Sequence, residues 1–397
     1  MKFDFENVIN RSGLGSSKWN EMKKINPDVP ENIVPLSVAD MELKNAPRIM
    51  EGIRAFLDAE KVTLGYTSPT ESYNEAVRSW MKKRHSWEVD MKWNVPTPGV
   101  VTAFFHAIRA YSQPGDGVII FTPVYYPFKM AIERNNRTVA DVPLVNRGLR
   151  YEIDWDRFEA AARERSNKLL LFCSPHNPVG RVWTEEELRR VSDICLKYNV
   201  LVLSDEIHND LIMPGYKHTV YATLSEDALQ NCLIFTSPSK TFNLAGLQTS
   251  NILIPNEKLR ERFIETMLDS GLVSVNIIGY KACEIAYTQC EEWLTQAIGL
   301  IAQNAKLVED YMKENIPQIK VHPLEGTYLQ WWDCRELFDD YREMEDFMQN
   351  KAYLFLDEGY LFGENGQGFE RINLACPPHI LYDALQRLKT ALESSAI

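Results

Sequence analysis

Five short apolar runs in the middle of the chain constrain its fold more than any other feature. They cover residues 117–121, 168–173, 200–204, 233–236 and 250–254. Amphipathic stretches separate most of these runs, and this alternation is typical of an α/β fold. Because the runs are nearly continuous rather than alternating in hydrophobicity, they predict a mostly parallel sheet that is buried on both faces.

The pattern of apolar residues changes along the chain and predicts three structural parts. Thr184 and Glu187 have the spacing of a capping box, which predicts a helix running from there to about Tyr198. After about residue 290, a long helical stretch and two separated strands indicate a smaller α+β unit. We therefore predict an N-terminal arm over residues 1–45 that joins the small domain, a large domain over 46–290 and a small domain over 291–397.

Bulk properties exclude several classes of partner. The 397 residues carry a formal net charge of −12, which argues against nucleic acid or an anionic membrane as a partner. The segment after Met1 lacks the apolar core of a signal peptide, and no apolar stretch has the length of a membrane span. Seven cysteines without paired spacing favour reduced thiols over disulfides or a metal site. We expect a cytoplasmic protein without a metal.

Three polar motifs follow apolar runs directly. They are Pro175-His176-Asn177-Pro178, Ser204-Asp205-Glu206-Ile207-His208 and Ser237-Pro238-Ser239-Lys240. Since α/β sheets bind ligands at the carboxyl ends of their parallel strands, we expect Asn177, Asp205 and Lys240 to lie close together. A lysine in such an apolar place has a lowered pKa, and its neutral amine can form a Schiff base with an aldehyde cofactor. Ordinary turn, cap and ion-pair roles remain the alternatives for each residue.

In their order and spacing, these motifs resemble those of the fold-type I enzymes that use pyridoxal 5′-phosphate (PLP). The Asp-Glu-Ile-His wording is similar to the cystathionine β-lyase-like C–S lyase branch, the MalY/PatB group. The resemblance extends from about Lys18 to Arg371. It implies an aspartate aminotransferase-like fold, with a seven-stranded, mostly parallel sheet in the large domain and a smaller α+β domain.

The resemblance also implies roles for the residues near the cofactor ring. Lys240 would form the Schiff base with PLP and move the proton at the substrate Cα, and Asp205 would keep the pyridine nitrogen protonated. Asn177 would donate to the phenolic oxygen and contact the substrate. Tyr125 would stack on the cofactor, while Tyr126 would line the substrate side and help to protonate the leaving group.

A second set of residues would complete the cofactor site. His208 stands where many aminotransferases carry a tyrosine, and it is expected to contact the cofactor. The phosphate would be held by the helix start at Gly99, Val100 and Val101, and by the hydroxyls of Ser237 and Ser239. Tyr66 matches a family segment that reaches the phosphate of the neighbouring subunit, which implies a homodimer.

Two residues are expected to contact the substrate. Arg371 opens a predicted strand of the small domain, where the resemblance implies that its guanidinium grips the α-carboxylate. Asp40 lies in a segment that borders the substrate entrance in the family, although a helix-capping role is an open alternative. Gln248 stands eight residues after Lys240, where many aminotransferases have a phosphate-binding arginine. This departure favours the lyase branch.

Three functions remain open from the sequence. The first is a PLP-dependent C–S β-lyase that cleaves cystathionine- or cysteine-type amino acids to a thiol, pyruvate and ammonia. The second is an aminotransferase of class I or II, which uses the same residues up to proton removal at Cα. The third is a regulatory binding protein that keeps the fold, a hypothesis weakened by the presence of both Lys240 and Asp205.

Overall fold

The computed structural model describes residues 3–272 and 274–395. Its strands are β1 (Asn94–Thr97), β2 (Gly117–Ile120), β3 (Thr138–Asp141), β4 (Val145–Asn146), β5 (Tyr151–Glu152), β6 (Asn167–Cys173), β7 (Leu201–Asp205), β8 (Cys232–Thr236), β9 (Ser250–Leu253), β10 (Lys320–Val321), β11 (Leu329–Asp333), β12 (Asp357–Glu358) and β13 (Phe369–Asn373). Its α-helices are α1 (Ser17–Ile25), α2 (Pro47–Leu57), α3 (Glu71–His85), α4 (Val100–Tyr111), α5 (Pro127–Arg134), α6 (Trp155–Arg163), α7 (Glu185–Tyr198), α8 (Glu226–Gln230), α9 (Pro238–Thr241), α10 (Glu257–Asp269), α11 (Ile277–Gln289), α12 (Glu291–Asn315), α13 (Tyr341–Asn350) and α14 (Pro378–Ser395).

The large sheet confirms the predicted seven-stranded, mostly parallel arrangement. Its strand order is β1-β9-β8-β7-β6-β2-β3. Strands β8, β7, β6, β2 and β3 pair in parallel, whereas β9 runs antiparallel to both of its neighbours. Thr236 at the end of β8 pairs with Asn251 near the start of β9, so the intervening segment turns back at the carboxyl edge instead of crossing the sheet. This segment carries Lys240.

The central strands are buried on both faces, as their continuous apolar runs predict. Along β6, Leu169 and Leu171 point into one apolar cluster, where Phe104 of α4 also packs. Leu170 and Phe172 point into the other, larger cluster on the opposite face. Alternate residues therefore serve two separate cores, which is why neither face of the strand can be polar.

Helix α7 begins at the predicted capping box. The main-chain N–H of Glu187 donates to Thr184 Oγ1 at 3.2 Å, and the main-chain N–H of Thr184 donates to Glu187 Oε2 at 2.8 Å. Two N–H groups that the first helical turn leaves unpaired are thereby satisfied locally.

The small sheet is antiparallel throughout, in the order β10-β11-β13-β12. N-terminal residues pack against this part of the chain: Asn373 N donates to the carbonyl of Leu36, and Leu36 N donates to the carbonyl of Phe355, both at 2.9 Å. Trp19 lies in the same apolar cluster as Phe355. These contacts are those expected of an arm that joins the small domain, and the domain boundaries themselves stay a prediction.

Two further features bear on the earlier expectations. All seven cysteines are buried free thiols. Within the described ranges, no helix combines the length and the apolar character that crossing a bilayer requires.

The capping box gives a stability prediction. Thr184→Ala removes the side-chain acceptor of the first turn of α7 and is expected to cost about 1 kcal/mol of unfolding free energy. Urea denaturation followed by circular dichroism measures this loss. Thr295→Ala is the matched control, because Thr295 is exposed inside α12 and its hydroxyl donates to the carbonyl of Glu291 within the same helix. Equal losses in the two variants would contradict a specific capping role.

Candidate active site

A cavity of about 280 Å³ lies at the carboxyl edge of the large sheet. The predicted site residues in its wall are Gly99, Val100, Val101, Tyr125, Asn177, Asp205, His208, Ser239 and Lys240. They come together because β6, β7 and β8 run parallel and end at this edge, so the segments that follow them share one opening. Gln248, from the segment before β9, also lines the cavity.

Lys240 is held in α9, directly after β8. Ser237 caps this short helix by accepting from the main-chain N–H of Ser239 at 3.0 Å, and Pro238 occupies its first position. Lys240 Nζ donates to the main-chain carbonyl of Ala39 at 2.8 Å. Burial, with a further contribution from the Arg371 guanidinium, lowers the pKa of Lys240 to about 8. Its neutral, nucleophilic amine is therefore much more populated near neutral pH than that of an exposed lysine.

Asp205 is a buried carboxylate at the end of β7, with an exposed fraction of 3%. One of its oxygens accepts from the main-chain N–H of Ile207 at 3.2 Å. Burial raises the pKa of Asp205 to about 7, against the smaller opposing effects of that N–H and of the positive charge of Lys240. A carboxylate in this environment is stabilised by any cationic group that enters the cavity.

Arg371 of β13 connects the small sheet to the loop that follows β6. Its Nη1 donates to Asn177 Oδ1 at 2.8 Å, and its Nη2 and Nε donate to Asp357 Oδ2 at 2.5 and 3.2 Å. The bond to Arg371 turns the oxygen of the Asn177 amide towards the guanidinium, so Nδ2 is the donor that this amide offers elsewhere. Arg371 is buried, and its planar fork suits a carboxylate ligand.

The first turn of α4 forms one end of the cavity. Gly99 precedes this helix with φ of 100°, a conformation that side chains other than glycine rarely adopt. No side chain caps this helix end, and the first-turn residues Val100, Val101 and Thr102 line the cavity. The main-chain N–H groups of a helix start, together with the helix dipole, attract anions. Ser239, which also lines the cavity, carries a hydroxyl group.

The aromatic residues divide between the wall and the surface. Tyr125 lines the cavity, and its main-chain N–H donates to the carbonyl of Asn177 at 3.1 Å. Burial raises the pKa of the Tyr125 hydroxyl well above its ordinary value. Tyr126 is 48% exposed, with its ring centroid 5.5 Å from that of Tyr125. Burial lowers the pKa of His208 well below its ordinary value, so this imidazole is neutral.

Five predicted residues are not in the wall of this cavity: Arg371, Tyr126, Ser237, Asp40 and Tyr66. Ser237 lies beneath Ser239 and donates to the carbonyl of Thr249 at 2.7 Å. Asp40 follows Ala39 and pairs with Arg11. Tyr66 is fully exposed in the single chain and does not line the cavity of its own subunit. The roles of all the predicted site residues stay predictions.

Two groups at the site escaped sequence reasoning. Asp357 is the buried partner of Arg371, yet in the sequence it is one acidic residue among many. Only the register of the small sheet, which pairs Asp357 with Arg371, reveals it. The carbonyl of Ala39 holds Lys240, but a main-chain acceptor has no side-chain signal at all. The neighbouring Val38-Ala39-Asp40-Met41 segment, already set beside the substrate entrance, was the nearest available clue.

Comparisons with known proteins agree with this geometry. The family model for aminotransferase class I and II matches residues 31–388. The cystathionine beta-lyase PatB of Bacillus subtilis (strain 168) is 36% identical over 98% of this chain and 100% of its own length. The crystal structure of cystalysin from Treponema denticola, which contains a pyridoxal 5′-phosphate cofactor, superposes with a TM-score of 0.98, at 49% identity and over the whole of both chains. A PLP-bound C–S lyase from Staphylococcus hominis is 30% identical, with a TM-score of 0.89 over 99% of this chain and 98% of its own.

The chain therefore belongs to the class I and II aminotransferase family, whose fold and cavity it has. Within that family it falls in the MalY/PatB cystathionine β-lyase branch, as its motifs predict. Both the predicted family and the predicted fold are confirmed.

The raised pKa of Asp205 predicts how stability depends on pH. Because its folded pKa (about 7) lies above its ordinary value of 3.8, the ionised carboxylate opposes folding increasingly as the pH rises from about 4 to 7. In the ligand-free protein at pH 8, Asp205→Asn is expected to unfold at a higher temperature than the wild type. The expected gain in unfolding free energy is roughly 1–3 kcal/mol. The two proteins should converge near pH 4.

Thermal unfolding across this pH range measures the difference, with the exposed Asp339→Asn as the control. A constant gap from pH 4 to pH 8 would show that folding does not shift the pKa of Asp205.

Proposed function

We propose that the protein is a PLP-dependent C–S lyase that acts by α,β-elimination on amino acids with a thiol or thioether on Cβ. Cystathionine- and cysteine-type substrates would give a thiol, pyruvate and ammonia. The observation that carries this proposal is the cavity in which Lys240, Asp205 and Asn177 converge beside Arg371. It occurs in a chain that aligns over nearly its full length with cystathionine β-lyases and C–S lyases.

The residues around the cavity fit PLP. The buried Asp205, with one N–H bonded to it, suits a protonated ring nitrogen. The uncapped start of α4 offers main-chain donors to a phosphate. Lys240 offers an amine of lowered pKa that can hold the cofactor aldehyde, and Asn177 and Tyr125 offer an amide donor and an aromatic ring.

When bound, PLP supplies an aldehyde that captures the substrate amine and a ring that accepts the electron pair released at Cα. The Arg371 guanidinium binds the α-carboxylate and thereby orients the Cα–H bond. Lys240 Nζ takes the Cα proton, a step that suits a base with a pKa of about 8. The Cβ–S bond then breaks, and the sulfur leaves with the electron pair and takes up a proton. Lys240 Nζ or the half-exposed Tyr126 hydroxyl supplies that proton, and water converts the remaining fragment to pyruvate and ammonia.

An aminotransferase would use the same residues up to proton removal. The neutral Gln248 in the cavity wall, in place of an arginine, favours the lyase, as do the C–S lyases among the full-length relatives. A binding protein without catalysis has no need of a lysine whose pKa is lowered at the edge of a cavity.

The active form proposed here is a homodimer in which Tyr66 of the partner subunit reaches the cofactor phosphate. Tyr66 is fully exposed and the nearby Leu64 is 68% exposed, which supports a covered position for this segment in the assembly. We also propose that the enzyme acts in the cytoplasm, where its free thiols stay reduced.

Lys240 provides the first test. Purified wild type with PLP should absorb at the edge of the visible range and should release pyruvate from L-cystathionine without any 2-oxo acid. Lys240→Ala should lose the band and at least about 1000-fold in rate, since it removes both the cofactor anchor and the base. Lys258→Ala, at an exposed position of α10, is the control. A band without pyruvate, but with amino transfer to an added 2-oxo acid, would identify an aminotransferase instead.

The proposed contribution of Tyr66 predicts complementation between subunits. Lys240→Ala and Tyr66→Ala should each have little activity alone. When the two are unfolded together and refolded, mixed dimers have one site with both residues intact, so activity should recover to roughly a quarter of the wild type. Pyruvate release measures the recovery. Absence of any recovery, with mixed dimers demonstrated by differential tagging, would place Tyr66 outside the partner's site.

A further inference from the structure

A second cavity adjoins the catalytic one on the side of the N-terminal arm. Its volume is about 270 Å³, and Ala245 belongs to the walls of both cavities. The main chain also joins them, because Ala39 lines the first cavity and Asp40 lines the second. Since the Ala39 carbonyl accepts from Lys240 Nζ, the second cavity begins within one residue of the group proposed to act on the substrate.

Charged side chains of both signs line the second cavity. Arg11 Nη1 donates to both oxygens of Asp40, at 3.0 and 2.9 Å, and Arg11 Nη2 pairs with Glu42 Oε1. Lys18 Nζ lies 2.8 Å from the same Glu42 oxygen. Two cations thus face two carboxylates, and the cluster is neutral overall. Its inner members, Lys18 and Glu42, are fully buried, whereas Arg11 and Asp40 are 21% and 29% exposed.

The cluster keeps unused hydrogen-bonding capacity of both kinds. Within the described part of the chain, the buried Arg11 Nε has no acceptor, and the buried Glu42 Oε2 has no donor. Unpaired buried polar atoms are costly, and the two residues that carry them, Arg11 and Glu42, line the cavity together with Asp40. A ligand matching this wall carries an anionic and a cationic group together, as an amino-acid zwitterion does.

We propose that this second cavity binds the leaving group of substrates in which the sulfur carries a second amino acid. Arg11 would bind the distal carboxylate and Asp40 the distal ammonium, which makes these two residues specificity determinants. The proposal rests on the proposed C–S lyase function. As the zwitterion enters, the outer Arg11–Asp40 pair opens and each residue exchanges one charged partner for another. No buried charge is left without a partner, so the exchange avoids the main cost of separating an ion pair.

The consequence is a substrate preference based on the distal end. A site built to pair with polar groups rejects an analogue that lacks them, because its own groups are then left unsatisfied. Thioethers with a distal zwitterion should therefore be cleaved with higher kcat/KM than S-alkylcysteines of equal length.

Four substrates that differ only at the distal end test the assignment. L-cystathionine has both charges, S-carboxypropyl-L-cysteine lacks the ammonium, S-aminopropyl-L-cysteine lacks the carboxylate, and S-propyl-L-cysteine lacks both. Arg11→Gln should lower kcat/KM for the two substrates with a distal carboxylate by roughly 10- to 100-fold relative to the other two. Asp40→Asn should lower kcat/KM by a similar factor for the two substrates with a distal ammonium group. Arg11→Lys should recover part of the loss, since it restores the charge without the planar fork.

The control is Lys24→Gln, which removes an exposed cation of the same arm that pairs with Glu21. A common loss on all four substrates in both Arg11→Gln and Asp40→Asn would overturn the proposal, because it would show that the cluster only holds the arm in place. Equal kcat/KM of the wild type on all four substrates would overturn it as well, and would leave the lyase function intact. Absence of pyruvate from every substrate would instead refute the proposed function itself.

Discussion

The exclusion of water from Lys240 and Asp205 is the condition on which the rest of the site depends. Burial lowers the pKa of the lysine to about 8 and raises that of the aspartate to about 7, so the neutral form of each group is far more accessible near physiological pH than it would be in water. Neither shift would survive at an exposed strand end. The large sheet creates the necessary environment because its central strands are covered on both faces, so that water is excluded from the segments that follow β7 and β8.

Arg371 reaches this edge from a different sheet, and its position shows how the two sheets are joined. Its pairing with Asp357 follows from the antiparallel register of β12 and β13, and its bond to Asn177 crosses to the large sheet. A buried guanidinium is tolerated only when hydrogen-bonded partners surround it, and removal of one partner leaves an uncompensated charge. Arg371, the proposed carboxylate anchor, is thus also a structural link between the sheets.

The N-terminal arm lies between these parts. The Ala39 carbonyl accepts from Lys240, the Val38 N–H donates to Asp357 at 2.8 Å, and Asn373 Nδ2 donates to the carbonyls of Val38 and Asp40. A short stretch of arm therefore contacts the lysine, the partner of the arginine and the small sheet together. The residues proposed to perform the chemistry lie on the two sheets and on the segments that follow their strands, whereas the residues proposed to select the leaving group lie on the arm. Selectivity can change in such an arrangement without disturbance of the catalytic groups.

Local patterns in the sequence determined much of this protein. The apolar runs, the Thr184 capping box and the motifs around Asn177, Asp205 and Lys240 depend on neighbouring residues, and together with the family resemblance they predicted the sheet and most of the cavity wall. The antiparallel course of β9, the Asp357 partner of Arg371, the Ala39 acceptor and the second cavity were decided by tertiary structure. Lys240 and Ala39 are 201 residues apart, and a contact made through a main-chain carbonyl leaves no trace in either side chain. Strand register and chain crossing bring such groups together, and both depend on the packing of the whole chain.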